Sequence, residues 1–329
     1  MRSAFEIIAA IIVALAAMFM LPRILELFAL INATVYVSMA VLALSLALVW
    51  GFGGILCFGQ AAFFGLGGYA YAVAAINFAD TTLAVPVALA VPALVAAALG
   101  YVMFFGRISD VYMGAITLTL TLILFNFVNS TAGDQWRIGA APLGGFNGIP
   151  ATPPLNFPGD PGNPLPPETI FLVAVFALLL CYILAKLTLR SRFGRICVAI
   201  RENERRAELL GYDVRFYKLG IFTLGAAMAG LAGMLFANCV FVSPTMFSLF
   251  YSGQIIIWVM VGGLGTLIGP VIGAILLNLL TTWAGTLPDI NPSLILGVVL
   301  VLAVLMVPKG VLPSLTGGLG RLRPGSGAR

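Results

Sequence analysis

The sequence predicts an all-α integral membrane protein of about ten transmembrane helices. Of its 329 residues, 61% are hydrophobic and 9% are charged, whereas a soluble domain carries roughly 25% charged residues. Apolar runs long enough to cross a bilayer, about 20 residues each, follow one another with little between them. The whole chain, 1–329, is therefore predicted to be a single membrane domain.

The spans are predicted where the apolar runs lie. They are 4–21, 31–50, 60–78, 83–105, 111–129, 168–189, 216–238, 250–268, 270–286 and 293–308. The first run resembles a signal peptide, but no small-residue cleavage site precedes Pro22-Arg23, so we interpret it as a span. Eight spans are the alternative, if two glycine-rich pieces only dip into the membrane.

Basic residues indicate the orientation, because Lys and Arg stay on the cytoplasmic side. Nine of the 17 lie between residues 186 and 218: Lys186, Arg190, Arg192, Arg195, Arg201, Arg205, Arg206, Arg215 and Lys218. Four more follow the last span: Lys309, Arg321, Arg323 and Arg329. We therefore predict that the loop 190–215, the tail 309–329 and both termini are cytoplasmic. The net charge of +5 belongs to these loops and does not indicate nucleic acid.

The segment 130–167 contains Arg137 as its one basic residue and is predicted to lie outside. It is rich in Pro and Gly, and proline has no N–H to donate, so a regular helix is not expected there. It is either a solvated connector or a surface that binds an external partner.

Glycines are predicted to break two helices. Gly53 and Gly54 close the second span, and Gly262, Gly263 and Gly265 interrupt the eighth. A glycine-spaced helix follows each break, which indicates a parallel repeat of spans 2–5 and 7–10. Backbone groups freed at such breaks must line a cavity or be buried by protein.

Small residues elsewhere predict close contact between helix backbones in lipid. The candidates are Gly65, Gly67, Gly68, Gly225, Ala229 and Gly233.

The predicted spans contain no ionisable residue at bilayer depth, which disfavours a transporter driven by protons or sodium. The uncharged polar residues remain as candidates for the translocation path: Gln60, Thr117, Thr119, Asn126 and Gln254, with Thr121 and Asn129 beside them. The chain has no histidine, and its four cysteines show no CxxC spacing. No catalytic residue, metal site or cofactor is therefore predicted.

The basic loop is the most specific feature. Residues 196–210 are predicted to form one helix that ends at Gly211, with Glu202 and Arg206 paired four residues apart. An apolar stripe of Ile196, Ile200, Ala207 and Leu210 follows one edge of it. Such a helix suits a groove on another protein, although it could also lie on the lipid surface.

Four blocks of sequence resemble branched-chain amino acid permeases of the LivM type. They are Gly51–Tyr71 (GFGGILCFGQAAFFGLGGYAY), Arg195–Gly233 (RICVAIRENERRAELLGYDVRFYKLGIFTLGAAMAGLAG), Val261–Ala274 (VGGLGTLIGPVIGA) and Val307-Pro308-Lys309-Gly310. Within the second block, Ala207 and Gly211 match the alanine and glycine of the short cytoplasmic motif of ABC importer permeases.

The resemblance implies a subunit of a larger importer in a bacterial inner membrane. Its partners would be a second permease of the LivH type, two cytoplasmic ABC ATPase subunits and a periplasmic solute-binding protein. Residues 201–211 would be the coupling helix that docks into an ATPase. The implied coupling residues are Arg201, Glu202, Glu204, Arg205, Arg206, Ala207, Glu208 and Gly211. The sequence has no GxxxxGK[ST] motif, so ATP hydrolysis is assigned to the partners.

The expected cargo is a branched-chain or other hydrophobic amino acid. A urea, short-chain amide or aromatic-acid permease of the same family is the alternative, because Val49–Ile55 also resembles that branch. A passive channel for a small neutral solute also fits the charge-free spans, but a channel has no need of the 201–211 segment.

Overall fold

The computed structural model describes residues 2–133, 135–150, 152–286, 297–298 and 301, with side chains from residue 6 onward. The helices are α1 (Arg2–Ile24), α2 (Leu27–Leu46), α3 (Gln60–Phe78), α4 (Thr81–Phe105), α5 (Asp110–Ser130), α6 (Pro167–Arg190), α7 (Arg192–Glu202), α8 (Glu204–Leu209), α9 (Val214–Ala237), α10 (Leu249–Gly262) and α11 (Ile268–Ala284). A π-helical turn, Ala47–Phe52, extends α2, and 3₁₀ turns lie at Gly145–Asn147 and Pro244–Phe247.

Seven of the described helices are long and apolar enough to cross a membrane: α1, α2 with its π turn, α3, α4, α5, α6 and α9. They confirm the predicted all-α membrane fold. The apolar helices α10 and α11 are shorter, at 14 and 17 residues. Helix α10 ends at Gly262, where a glycine break is predicted, and does not continue to residue 268, the predicted end of the span. The tenth predicted span, 293–308, lies almost wholly outside the described residues, so the parallel repeat stays a prediction.

Helix α9 is the centre of the bundle and packs against α2, α3 and α4. Its glycines allow this, as predicted, because small residues let helix backbones approach closely in lipid. A Cβ atom at Gly233 would overlap the carbonyl oxygen of Phe64, and one at Gly67 would overlap the backbone of Gly230. The predicted small-residue packing is therefore confirmed between α3 and α9.

Between α5 and α6 the chain forms two small hairpins instead of a helix. Strand β1 (Arg137–Ile138) pairs with β2 (Ala141–Pro142), and β3 (Asn156–Phe157) pairs with β4 (Asp160–Pro164). The side chain of Asn156 ties this segment to the start of α4, where its Oδ1 accepts hydrogen bonds from the backbone N–H, at 2.8 Å, and the hydroxyl of Thr81. The segment is therefore fixed on the ends of the membrane helices.

The first and sixth helices are joined by an ion pair between Glu6 and Lys186. Both residues lie close to helix ends, where long charged side chains can reach the membrane surface. The pair connects α1 to α6, against which α1 packs.

Candidate functional site

The basic segment folds as two helices, so the predicted single helix over 196–210 is wrong. Helix α7 ends at Glu202, and Asn203 adopts an extended backbone with φ −161° and ψ 99°. The side-chain oxygen of Asn203 accepts a hydrogen bond from the N–H of Arg206 at 2.9 Å and so caps α8. Asparagine favours this capping position over a helix interior. Because the break separates them, Glu202 does not form the predicted pair with Arg206 but contacts Arg201.

A small apolar cluster holds the two helices on the membrane domain. Ile200 of α7, Ala207 of α8 and Val214 of α9 are all buried against one another, with Ile196 and Tyr217 beside them. The predicted stripe is therefore correct for Ile196, Ile200 and Ala207, and Ala207 is not free to contact a partner.

Leu210 does not belong to that stripe. Leu209 and Leu210 are 82% and 76% exposed. They lie at the end of α8, whose last residue is Leu209, and do not share the buried position of Ala207. The remaining exposed residues around them are Glu202, Asn203, Glu204, Arg205, Arg206 and Glu208, followed by Gly211. We call residues 202–211 the docking edge. Adjacent exposed apolar side chains with a polar rim occur at surfaces that contact other proteins.

Lys218 of α9 connects the docking edge to the bundle. Its side chain is 7% exposed, and its Nζ lies 2.7 Å from Glu204 Oε2 and 3.5 Å from Asp110 Oδ1. One buried ammonium thus joins α8 to the first turn of α5. A cavity of about 320 Å³ opens beside it, lined by these three residues together with Arg107, Glu208 and Arg215.

A second ion pair orients the start of α9. Arg215 donates from Nε to Asp213 Oδ1 at 2.9 Å and from Nη2 to Oδ2 at 3.1 Å. The hydrogen bond from the Arg215 side chain lowers the pKa of Asp213. The carboxylate of Asp213 also accepts from the N–H of Arg215 at 3.2 Å, as a helix cap.

Beneath α7 the two predicted glycine breaks meet. A Cβ atom at Gly51 would lie 3.2 Å from the backbone nitrogen of Gly265, so the π turn after α2 touches the turn between α10 and α11. Gly53, Gly262 and Gly263 are buried by protein, whereas Gly265 is exposed. We call Gly51, Gly54 and Gly265 the glycine junction. The side chain of Arg201 lies on it, and its Nη1 donates a hydrogen bond to the carbonyl oxygen of Gly51.

The five candidates for the translocation path do not form one site. Gln60 is buried, and its Nε2 donates to Ser45 Oγ at 2.8 Å and to the Gly225 carbonyl at 3.3 Å. The amide nitrogen of Gln60 is therefore hydrogen-bonded inside the bundle, where α2, α3 and α9 meet. Gln254 is buried in α10, 8% exposed.

The candidates on α5 divide between two faces. Thr117 is buried, where its hydroxyl accepts from the N–H of Phe58 at 3.2 Å. Thr119 and Asn126 are exposed, and each donates to a carbonyl one turn earlier in α5, at 2.9 Å. The helical step of about 100° per residue separates Thr117 from Thr119, as expected.

Sequence reasoning missed three contacts. The carbonyl of Gly51 as a partner for Arg201 has no local signal. The cap at Asn203 did have a local signal, since asparagine is a usual N-cap residue immediately before a helix. The bonds of Lys218 to Glu204 and Asp110 had only a weak signal. The three residues carry opposite charges and lie near span ends that are predicted to be on the cytoplasmic side.

A family model described as branched-chain amino acid transport system / permease component matches residues 27–307. The chain is 30% identical over 302 residues to the high-affinity branched-chain amino acid transport system permease protein LivM of Escherichia coli (strain K12), covering 85% of this chain and 69% of the relative. It is also 30% identical over 301 residues to the LivM protein of Salmonella typhimurium (strain LT2), with the same coverage.

A shorter match joins the chain to the other permease type. It is 28% identical over 123 residues to the permease protein LivH of Escherichia coli (strain K12), covering 37% of this chain and 40% of that relative. No solved structure matches the chain.

Proposed function

The chain belongs to the permease family of branched-chain amino acid transport systems, and we propose that it is one of two membrane subunits of an ATP-driven importer. Its partners in this proposal are a LivH-type permease, two cytoplasmic ABC ATPase subunits and a periplasmic solute-binding protein. The matches to both LivM and LivH support the pairing of permeases. A multi-pass protein of this kind is assigned to the bacterial inner membrane, with both termini cytoplasmic.

The observation that carries the coupling role is the docking edge. It presents charged side chains and the exposed Leu209 and Leu210 from a rigid attachment to the bundle. Helices with an apolar edge bind grooves on other proteins. The opposite signs of its charges, from Glu204 and Glu208 to Arg205 and Arg206, support a protein surface rather than an anionic lipid as the occupant.

The exposed face of α5 supports a path between subunits. Thr119 and Asn126 are exposed on the outside of this chain, where each donates one hydrogen bond to its own helix. An amide has further hydrogen-bonding groups, which lipid cannot satisfy. We infer that a second permease covers this face and that the cargo passes along it. Gln60 and Thr117, whose hydrogen bonds are made within the bundle, would then shape the path without contacting the cargo.

The cargo is proposed to be a branched-chain or other hydrophobic amino acid, after the names of the relatives. Uncharged polar side chains suit a solute without net charge. A urea, amide or aromatic-acid cargo stays the alternative, and transport assays with each solute distinguish them.

The proposal is tested with the assembled complex in proteoliposomes that contain ATP on the ATPase side. We expect labelled leucine to accumulate only when ATP and the solute-binding protein are both present. Solute flux through this chain alone, without nucleotide, would instead make it a passive channel. Uptake that collapses with the ion gradients at constant ATP would make it a secondary transporter.

Gly211→Pro is expected to abolish transport while ATP hydrolysis continues. Gly211 ends the docking edge with φ +88°, and its N–H donates to the Glu208 carbonyl at 2.9 Å. Proline fixes φ near −65° and has no N–H, so the turn would lose its hydrogen bond and its positive φ at a cost of more than about 1 kcal/mol. Uptake and phosphate release are measured in the same proteoliposomes.

Gly211→Asn is the matched control, because asparagine tolerates a positive φ better than other residues with a side chain. The space around Gly211 is open, with no atom within 4 Å of a Cβ. We therefore expect Gly211→Asn to transport at close to the wild-type rate. Equal uptake by the proline and asparagine variants would contradict a coupling role for this turn.

A further inference from the structure

Arg201 stands at the end of α7, one residue before the docking edge begins. Its Nη1 donates to the carbonyl oxygen of Gly51, and its Nε donates to Glu202 Oε1 at 3.2 Å. The side chain is 32% exposed, so it is partly covered by the groups it contacts. One guanidinium thus joins the docking edge to the membrane domain.

The aliphatic part of the Arg201 side chain packs on Gly54, another residue of the glycine junction. A Cβ atom at Gly54 would lie 2.8 Å from Arg201 Cγ and 3.2 Å from its Cα. A side chain at position 54 would therefore push α7 away from the π turn. The close approach of Arg201 requires a glycine here.

The contact extends to the other break through Gly265. This residue has φ +88°, and a Cβ atom on it would lie 3.9 Å from Arg201 Nη1. Its backbone nitrogen also faces Gly51. Arg201 therefore touches the turn after α2 directly and lies beside the turn between α10 and α11.

The chemistry of this contact favours arginine. The last carbonyls of a helix have no helical donor and carry the negative end of its dipole. A guanidinium supplies several N–H groups in a rigid plane, so it can bond a carbonyl and a carboxylate at once. Bonds from a charged donor are also stronger than neutral ones.

We propose that Arg201 is a positioning residue that transmits movement of the docking edge to both glycine breaks. When an ATPase displaces α7, the guanidinium carries the Gly51 carbonyl with it, and the backbone contact between Gly51 and Gly265 moves the second turn. This inference rests on the proposed importer function. It assigns the coupling role of Arg201 to contact with this chain's own breaks rather than with the ATPase.

The test compares Arg201→Gln with Arg195→Gln in the assembled complex in proteoliposomes. Arg195 is exposed on the same helix, and its Nη1 bonds the nearby Arg190 carbonyl at 3.4 Å, so the control removes the same charge away from the junction. In Arg201→Gln we expect leucine transport to fall about tenfold or more while ATP hydrolysis changes less than about twofold. In Arg195→Gln both rates are expected to stay close to wild type.

A second measurement reports on the junction itself. Hydrogen exchange of the peptides that contain residues 49–56 and 263–267 is followed with and without a non-hydrolysable ATP analogue. We expect the analogue to change exchange in both peptides of the wild type and in neither peptide of Arg201→Gln. Arg201→Lys keeps the charge but not the planar donor set, so it is expected to restore part of the transport.

The outcomes separate this inference from the function it rests on. If wild-type complex transports without ATP, the importer function fails and the inference with it. If the wild type couples normally and Arg201→Gln transports equally well per ATP, the inference alone is wrong. If Arg201→Gln fails to co-purify with the ATPase while Arg195→Gln does co-purify, Arg201 acts in docking, which also overturns the inference.

Discussion

Gly233→Ala is expected to destabilise the helical bundle by about 1–3 kcal/mol. The new methyl group would overlap the carbonyl oxygen of Phe64 and lie 2.8 Å from the backbone nitrogen of Gly68. Both atoms belong to the backbone of α3, so relief requires the separation of α3 from α9 rather than the rotation of a side chain. That separation would open the contacts of α9 with α2 and α4 as well.

The measurement is the yield of monodisperse protein in detergent and its midpoint of thermal unfolding. Gly253→Ala is the matched control, since Gly253 is inside α10 and nothing lies within 4 Å of a Cβ atom there. Alanine in a helix interior is more stable than glycine by about 0.5–1 kcal/mol, so this variant is expected to keep or raise the midpoint. Equal midpoints for the two variants would contradict the close packing of α3 against α9.

The fold was predictable from the sequence where one property of a residue decides its place. Apolar runs of about 20 residues indicate membrane spans, so the long helices were expected within a few residues of their observed bounds. The glycines of α3 and α9, among them Gly67 and Gly233, were expected at helix contacts because only small residues allow backbones to touch. The length of α10 was harder to predict, because the apolar sequence continues to residue 268 beyond the glycine break at Gly262 that ends the helix.

The glycine junction was not predictable, because it depends on residues far apart in the chain. Each break had a local signal, but nothing in either sequence indicates that Gly51 and Gly265 touch. The resemblance implied a coupling role for Arg201, but nothing in the sequence indicated its bond to the Gly51 carbonyl. The hydrogen bonds between Asn156 and Thr81 are non-local in the same way.

The candidates for the translocation path show a second limit of prediction from sequence. Polarity alone singled out Gln60, Thr117, Thr119, Asn126 and Gln254, but a polar side chain inside a membrane protein has several ways to satisfy its hydrogen bonds. Thr119 and Asn126 bond their own helix, and Gln60 bonds two neighbouring helices. Only the packing of the helices decides which of these residues faces a partner.

The double substitution Asp110→Asn with Glu204→Gln is expected to cost more than the sum of its single substitutions. Each single variant leaves Lys218 one carboxylate, and because Asp110 and Glu204 are about half exposed, each loss is expected to be about 1 kcal/mol or less. The double variant leaves a buried ammonium without either of the carboxylates that contact it, for which a loss of about 3–5 kcal/mol is typical. The midpoint of thermal unfolding in detergent measures the stability of the bundle, and limited proteolysis after Leu209 and Leu210 measures release of α8.

Adding Lys218→Met to the double variant distinguishes two causes of its lost stability, an unpaired buried charge and the loss of hydrogen bonds. Methionine keeps an apolar stem of similar length and removes the ammonium, and a buried ion pair replaced by apolar groups is often no less stable. We therefore expect the triple variant to recover most of the lost midpoint and to protect α8 from the protease. Strictly additive losses, or a triple variant no more stable than the double, would mean that the carboxylates act independently of Lys218. Because Glu204 belongs to the docking edge and Asp110 begins α5, recovery would identify Lys218 as the link between the surface proposed to contact the ATPase and the helix proposed to line the path.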